Sequence, residues 1–285
     1  MKSMHKGILC ILLSALCFAL MSTFVRLAGD LPFIQKSFFR NFVALLFAVA
    51  VILKKGESFR WRREDFKYLV LRSALGTMGM LCNFYAVDHL VLSDASMLNK
   101  MSPFFVIVLS YLFLKEKINF VQTSAVIVAF MGSLFIIKPT LANMDLVPSL
   151  IGLLGGLGAG AAYTTVRYLG SRGVKGPLIV FFFSGFSCLV TLPSFILHYH
   201  PMTVKQVIIL LCAGLAAAGG QFAITAAYTF APGKEISVYD YSQVVFSAFL
   251  GFFIFGQIPD GYSILGYGII CSTAVGMFFY NKKKL

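Results

Sequence analysis

Ten apolar blocks divide this 285-residue chain, at approximately 7–29, 33–53, 68–88, 92–114, 119–138, 149–169, 177–197, 205–230, 236–256 and 262–280. Each is about the 20 residues a helix needs to cross a bilayer. Helices are the economical reading, because open strands leave backbone groups unsatisfied in lipid and barrel strands are shorter and alternating. The first block follows MKSMHK and resembles a signal peptide at its start. Its apolar run continues past Val25 and no A-x-A site follows, so it reads as the first spanning helix. The expected fold class is all-α integral membrane, with ten transmembrane helices.

The polar positions carry a second pattern. Sliding the chain by 141 residues lays 12–29 (LLSALCFALMSTFVRLAG) on 153–170 (LLGGLGAGAAYTTVRYLG), with seven of eighteen positions identical, Arg26/Arg167 and Gly29/Gly170 among them. The same shift pairs Asp94 with Glu235, Ser96 with Ser237 and Phe105 with Phe246. After the fourth and ninth spans the register slips by about three residues, which sets Gly132 on Gly276. The chain therefore divides into a first five-helix repeat, 1–141, and a second, 142–285. Five spans are odd, so the second repeat enters the membrane from the opposite side. Inverted repeats around a central cavity point to alternating-access transport, with the substrate near the midplane.

Composition agrees with membrane residence: 59% of residues are hydrophobic and 12% charged, against about 25% charged in soluble domains. A net charge of +13 in a soluble chain would suggest a nucleic-acid partner, but no soluble basic domain exists here to hold one. The charge instead sets topology. With the N-terminus inside, sixteen basic residues face the cytoplasm (Lys2, Lys6, Lys54, Lys55, Arg60, Arg62, Arg63, Lys67, Lys115, Lys117, Arg172, Lys175, Lys234, Lys282, Lys283 and Lys284) and three, Lys36, Lys138 and Lys205, face outside. That bias predicts a multi-pass protein of a bacterial inner membrane with both termini cytoplasmic. Six cysteines fall in apolar blocks without a CxxC pair and read as small buried hydrophobes. His5, His89, His198 and His200 fall in predicted loops or termini, so neither a metal site nor a cofactor is expected.

Two segments carry a family likeness: NFYAVDHLVLSDASMLNKMSPFFVIVLSYLFLKEKINFVQTSAVIVAFMGSLFIIKP (83–139) and AAYTFAPGKEISVYDYSQVVFSAFLGFFIFGQIPDGYSILGYGIICSTAVGMFF (226–279). Each resembles the pattern of the EamA-type members of the drug/metabolite transporter superfamily: a helix end, a short turn, a helix with a polar centre, a Leu-Lys-Glu-type turn and a glycine-bearing last helix. The resemblance implies ten helices in 5+5 inverted repeats around a cavity. It leaves the substrate open among amino acids, nucleobases, sugar nucleotides, organic acids and drugs. The second repeat departs from the pattern at Gly256-Gln257, where the first has Lys115-Glu116.

Against this apolar background a few polar side chains stand out. Ser96, Asn99, Lys100 and Pro103 share one face of a single fourth helix by spacing, and Pro103 frees a carbonyl near Asn99. An ammonium at that depth costs about 2.5–3.5 kcal/mol on insertion scales. It is either a cavity cation for an anionic substrate group, the favoured reading, or a lysine that snorkels outward or pairs with Asp88 or Asp94. Arg40 in the second span suits a carboxylate or phosphate bidentately, with a structural pair to Asp30 as the alternative. The 141 shift sets Asn99-Lys100 on Asp240-Tyr241. Asp240, Gln243 and Ser247 share a face, flanked by Tyr239 and Tyr241. A carboxylate at that depth is a natural proton-coupling or amine-binding group, with a salt bridge to Arg72 as the alternative. Arg72, Gly76, Gly79 and Asn83 form a face of charge and small residues, with Arg72 read as structural or as a gate and Asn83 as a lining residue. Gly152, Gly156 and Gly160 read as a packing seam, and Gly219-Gly220 as a place for the halves to rock. Tyr163, Gln221 and Tyr228 join the candidate lining.

The favoured function is therefore a secondary transporter, not an enzyme, for a small polar metabolite bearing an anionic group, such as an amino acid or organic acid. Lys100 and Arg40 bind that group, and Asp240 takes a proton or the substrate's amine. The partners expected are this small molecule and membrane lipid, in a monomer or homodimer. Nucleosides, nucleotide-type or cationic metabolites and drugs are alternative cargoes, and a lipid flippase is the alternative from another class.

Overall fold

A chain in lipid must satisfy its backbone hydrogen bonds within each segment, and the apolar blocks do so by winding into helices. The structure, a computed structural model, describes residues 2–90, 92–117, 119–138, 145–256 and 258–283. Asp88 and Asp94, considered above as partners for Lys100, have side chains outside the described residues, as does Gln257. The helices are α1 Lys2–Leu27, α2 Phe33–Lys54, α3 Arg63–His89, α4 Leu92–Asn99, α5 Ser102–Leu114 and α6 Phe120–Ile137 in the first half. The second half holds α7 Leu146–Ser171, α8 Gly176–Leu197, α9 Val204–Phe230, α10 Gly233–Ile236, a 3-10 turn at Ser237–Tyr241, α11 Ser242–Phe255 and α12 Gly261–Lys283. Among the described residues nine helices are long and apolar enough to cross a membrane. The tenth, α3, has 27 residues and is the least apolar of the long helices, with Arg72 and Asn83 inside its apolar stretch.

The fourth and ninth spans depart from the expected single helices: each is interrupted. Pro103 lacks an N–H and its ring excludes the carbonyl four residues back, so α4 stops at Asn99 and α5 starts afresh with proline in its first turn. The ninth span breaks without a proline, through the 3-10 turn that holds Asp240 and Tyr241.

Packing runs between the halves. Helix α1 lies against α9 and α3 against α7; α2 packs on α8, and α6 on α12. Exchanging the halves by the 141 shift turns the α1–α9 pair into the α7–α3 pair, and the α1–α11 contact into the α7–α5 contact. One contact shows this at atomic scale. Ser14 Oγ donates to the Gly220 carbonyl at 3.0 Å, and at the exchanged positions a Cβ on Gly155 would stand 3.2 Å from the Gly79 carbonyl.

Glycine makes these approaches possible. A Cβ on Gly156 would sit 2.7 Å from the Leu98 carbonyl, and one on Gly160 would sit 2.6 Å from Phe105 Cβ. The glycine face of α7 is thus the seat of the broken fourth span. Ion pairs fasten the helix ends. Arg172, after α7, binds Asp65 and Glu64 in the first turn of α3, Lys175 reaches Glu57, and Arg167 Nε lies 3.2 Å from Glu116. At the far end Lys138 binds Asp260. Large apolar side chains such as Leu9, Phe113, Phe120 and Leu197 remain exposed around the outside, where lipid tails are their natural solvent.

Two smaller expectations are corrected. Of the six cysteines, all free, only Cys188 is buried and Cys271 is exposed, because helix faces turned to lipid accept thiols as readily as a core does. His89 is the last residue of α3 rather than a loop residue, while His5, near the N-terminus, has its ring tilted against Phe278 with centroids 5.6 Å apart.

Candidate functional site

The two helix breaks meet. Lys100 lies in the gap between α4 and α5, and its Nζ stands 3.2 Å from Asp240 Oδ2 and 2.8 Å from Gln243 Oε1. The pair closes a second way, because the Tyr241 hydroxyl donates to the Lys100 carbonyl at 3.0 Å. A broken helix leaves carbonyls without their N–H partners, and the opposing break satisfies one of them here. Lys100 and Asp240 are each 8% exposed and Tyr241 is fully buried. Asn99-Lys100 and Asp240-Tyr241, aligned by the 141 shift, are therefore in direct contact.

This arrangement replaces two pairings considered from sequence. Asp240 binds Lys100 instead of Arg72, and Arg72 donates to Gln221 Oε1 at 3.2 Å. No ion pair joins Arg40 to Asp30 among the described residues. Sequence spacing assigns faces along one helix, whereas the two breaks turn Lys100 across to the other half.

A second group lies beside the pair. Arg72 is 2% exposed, with its guanidinium carbon 3.9 Å from the centre of the Phe183 ring. Its Nε and Nη1 have no hydrogen-bond partner, and neither does Nε of Arg40. Gly76 makes room for the Arg72 side chain, since a Cβ there would stand 2.5 Å from Nη1. Tyr163 stacks on Tyr228 with centroids 5.0 Å apart. Tyr163 is also within electrostatic range of Arg40, Arg72 and Asp240, which joins the two groups into one polar centre.

Other expected residues stand apart from these contacts. Tyr239 is 2% exposed in the apolar core and its hydroxyl is unpartnered. Asn83 contributes backbone: its N would meet a Cβ on Gly155 at 3.0 Å, so it belongs to the tight α3–α7 seam. Asn99 is half-buried at the end of α4, with its carbonyl 3.6 Å from where a Gly156 Cβ would be. Nothing in the sequence marks Phe183, one phenylalanine among 30, as the one that faces an arginine. The buried hydrogen bond between Thr77 and Ser187, 2.6 Å, likewise joins α3 to α8 without any local signal.

Residues 5–138 match the EamA-like transporter family. Over 276 residues the chain is 30% identical to a pseudopaline exporter of Pseudomonas aeruginosa (strain UCBPP-PA14), covering 96% of each chain. Over 287 residues it is 24% identical to a riboflavin transporter of Vibrio cholerae, covering 98% of this chain and 95% of that one. A crystal structure shares the fold with a TM-score of 0.84 at 13% identity, over 95% of both chains.

Proposed function

This chain belongs to the EamA-like transporter family, a membrane transporter of the drug/metabolite type, and we propose that it moves a small polar metabolite bearing an anionic group by alternating access. The two proteins named above carry different cargoes by their names, a pseudopaline and a riboflavin, so the reading of substrate rests on this chain's own residues.

The observation that carries it is the Lys100–Asp240 ion pair set between the two helix breaks. A buried pair is costly to open by itself, because each charge loses its partner in a low dielectric. A zwitterion such as an amino acid removes that cost: its carboxylate takes Lys100, and its amine takes Asp240. The exchange conserves charge, so the substrate lowers the barrier to parting the two halves. A simple organic acid achieves the same if Asp240 takes a proton. Arg40 adds a second cation to the same polar centre, with a guanidinium suited to an anionic group. The exchange of packing partners between halves supports two inverted repeats, 1–141 and 142–285, that rock about this centre. Gln243 accepts from the Lys100 ammonium and Tyr241 donates to the Lys100 carbonyl, so both hold Lys100 in place.

A thermal-shift screen of purified protein tests the reading, with amino acids, organic acids, nucleosides and phosphates as the panel. Stabilisation by amino or organic acids, lost in Lys100→Ala, is expected. Stabilisation by neutral or cationic compounds alone contradicts it.

A further inference from the structure

The Lys100–Asp240 pair is neutral as a unit, yet two more cations lie beside it. Arg72 offers Nε and Nη1 to no acceptor, and Arg40 offers Nε to none. Neither guanidinium forms an ion pair among the described residues. Apart from Asp240, which is engaged by Lys100, the carboxylates in described ion pairs serve helix ends: Glu57, Glu64, Asp65, Glu116 and Asp260.

The surrounding packing holds these groups in place. Helices α2 and α3 both lie on α8, and Asn41, next to Arg40, reaches Met80 Sδ at 3.6 Å. Phe183 covers one face of the Arg72 guanidinium, and Gln221 takes one of its N–H groups. Gly76 leaves the space that the guanidinium fills. A side chain built this tightly, with two of its three guanidinium nitrogens unpartnered, is held ready for an acceptor that arrives from outside. Buried donors otherwise find partners in nearly every protein, and a desolvated charge without a counter-charge is strongly unfavourable.

We propose that Arg40 and Arg72 form a second anion subsite, so that the substrate carries a further carboxylate besides the group received at Lys100. The inference rests on the anionic-substrate reading above and sharpens it to dicarboxylates and acidic amino acids. Planar carboxylates suit charge-assisted hydrogen bonds from guanidinium N–H groups, and Arg72 keeps Nε and Nη1 without a partner. Phe183 and Gln221 act as positioning residues, keeping the Arg72 fork oriented.

The test measures binding of acetate, propionate, succinate, glutarate, alanine and glutamate to the full-length protein, at matched ionic strength. In the wild type the two-carboxylate member of each set binds about ten- to a hundredfold tighter, the size of one charge-assisted hydrogen-bonded contact. Arg72→Gln removes that advantage while the monocarboxylates and alanine bind as before. Gly76→Ala, which displaces the guanidinium while keeping its charge, reduces the advantage in the same direction and serves if Arg72→Gln does not fold. If monocarboxylates bind and the second carboxylate adds nothing, the second subsite is overturned and the anionic reading stands. If no anion binds, both fall. An Arg72→Gln variant that keeps the full dicarboxylate advantage also overturns the subsite.

Discussion

Lys100 Nζ and Asp240 Oδ2 stand 3.2 Å apart, although 140 residues separate them and each lies where its own helix breaks. Neither break is fully satisfied within its own half. Together they form one buried junction, closed by an ion pair on one side and by the Tyr241 hydroxyl on the other. A transporter has to hold its halves together and also release them, and a junction made of two exchangeable charges can do both.

Removing one charge strands the other. Lys100→Met or Asp240→Leu alone should cost about 3–5 kcal/mol, the range for breaking a buried pair, while the double variant recovers most of that loss. Thermal unfolding in detergent reads the difference. Uptake or efflux in proteoliposomes should be absent in all three variants, because the substrate's receiving groups are gone even where stability returns.

Tyr241→Phe deletes a single hydroxyl that meets the Lys100 carbonyl at 3.0 Å. The expected loss is about 1–3 kcal/mol, since a buried acceptor is left unmade at a helix break. A melting temperature equal to wild type would show that this carbonyl finds another donor.

Two glycine substitutions should differ in sign. A methyl on Gly156 meets the Leu98 carbonyl at 2.7 Å, and rigid backbone cannot step aside, so Gly156→Ala should cost about 1–3 kcal/mol. Gly268 in α12 has nothing within 4 Å of its Cβ position. Gly268→Ala should therefore stabilise by about 0.5–1 kcal/mol through helix propensity. Parallel melting curves of the two variants check this, and equal shifts would count against the packed seam.

Acid should loosen the contact between Lys138 and Asp260. The Lys138 ammonium, with help from the Ser263 N–H, holds the Asp260 carboxyl down at about 2, below its ordinary 3.8. A depressed carboxylate stabilises the fold above its unfolded value, and that contribution fades as pH falls from about 4 towards 2. Asp260→Asn should flatten this part of a stability profile measured between pH 5 and 2. Both groups are half exposed, so the effect is small.

Much of the architecture could be read from one dimension. Apolar length places the helices, and α2, α6, α8, α9 and α12 fall within a few residues of their expected bounds. Pro103 marks a break because it lacks an N–H, and that loss is visible in the sequence. The ninth span has no such mark: SVYDYSQVVF is compatible with continuous helix, and its 3-10 turn follows from what it touches. From sequence Arg72 reads as structural or as a gate, because nothing local tells that Gln221 takes one donor while Nε and Nη1 are left open.

The sequence alone determined that this is a helical membrane protein of the transporter family, and it singled out Lys100, Arg40, Arg72 and Asp240 as costly residues to keep in lipid. Bilayer thickness and the price of burying charge act on each segment by itself, so they leave a record in each segment. Only the tertiary structure decided which charge answers which. Lys100 and Asp240 meet because two broken helices cross between the halves, and partnership across 140 residues depends on packing distances that no local pattern encodes.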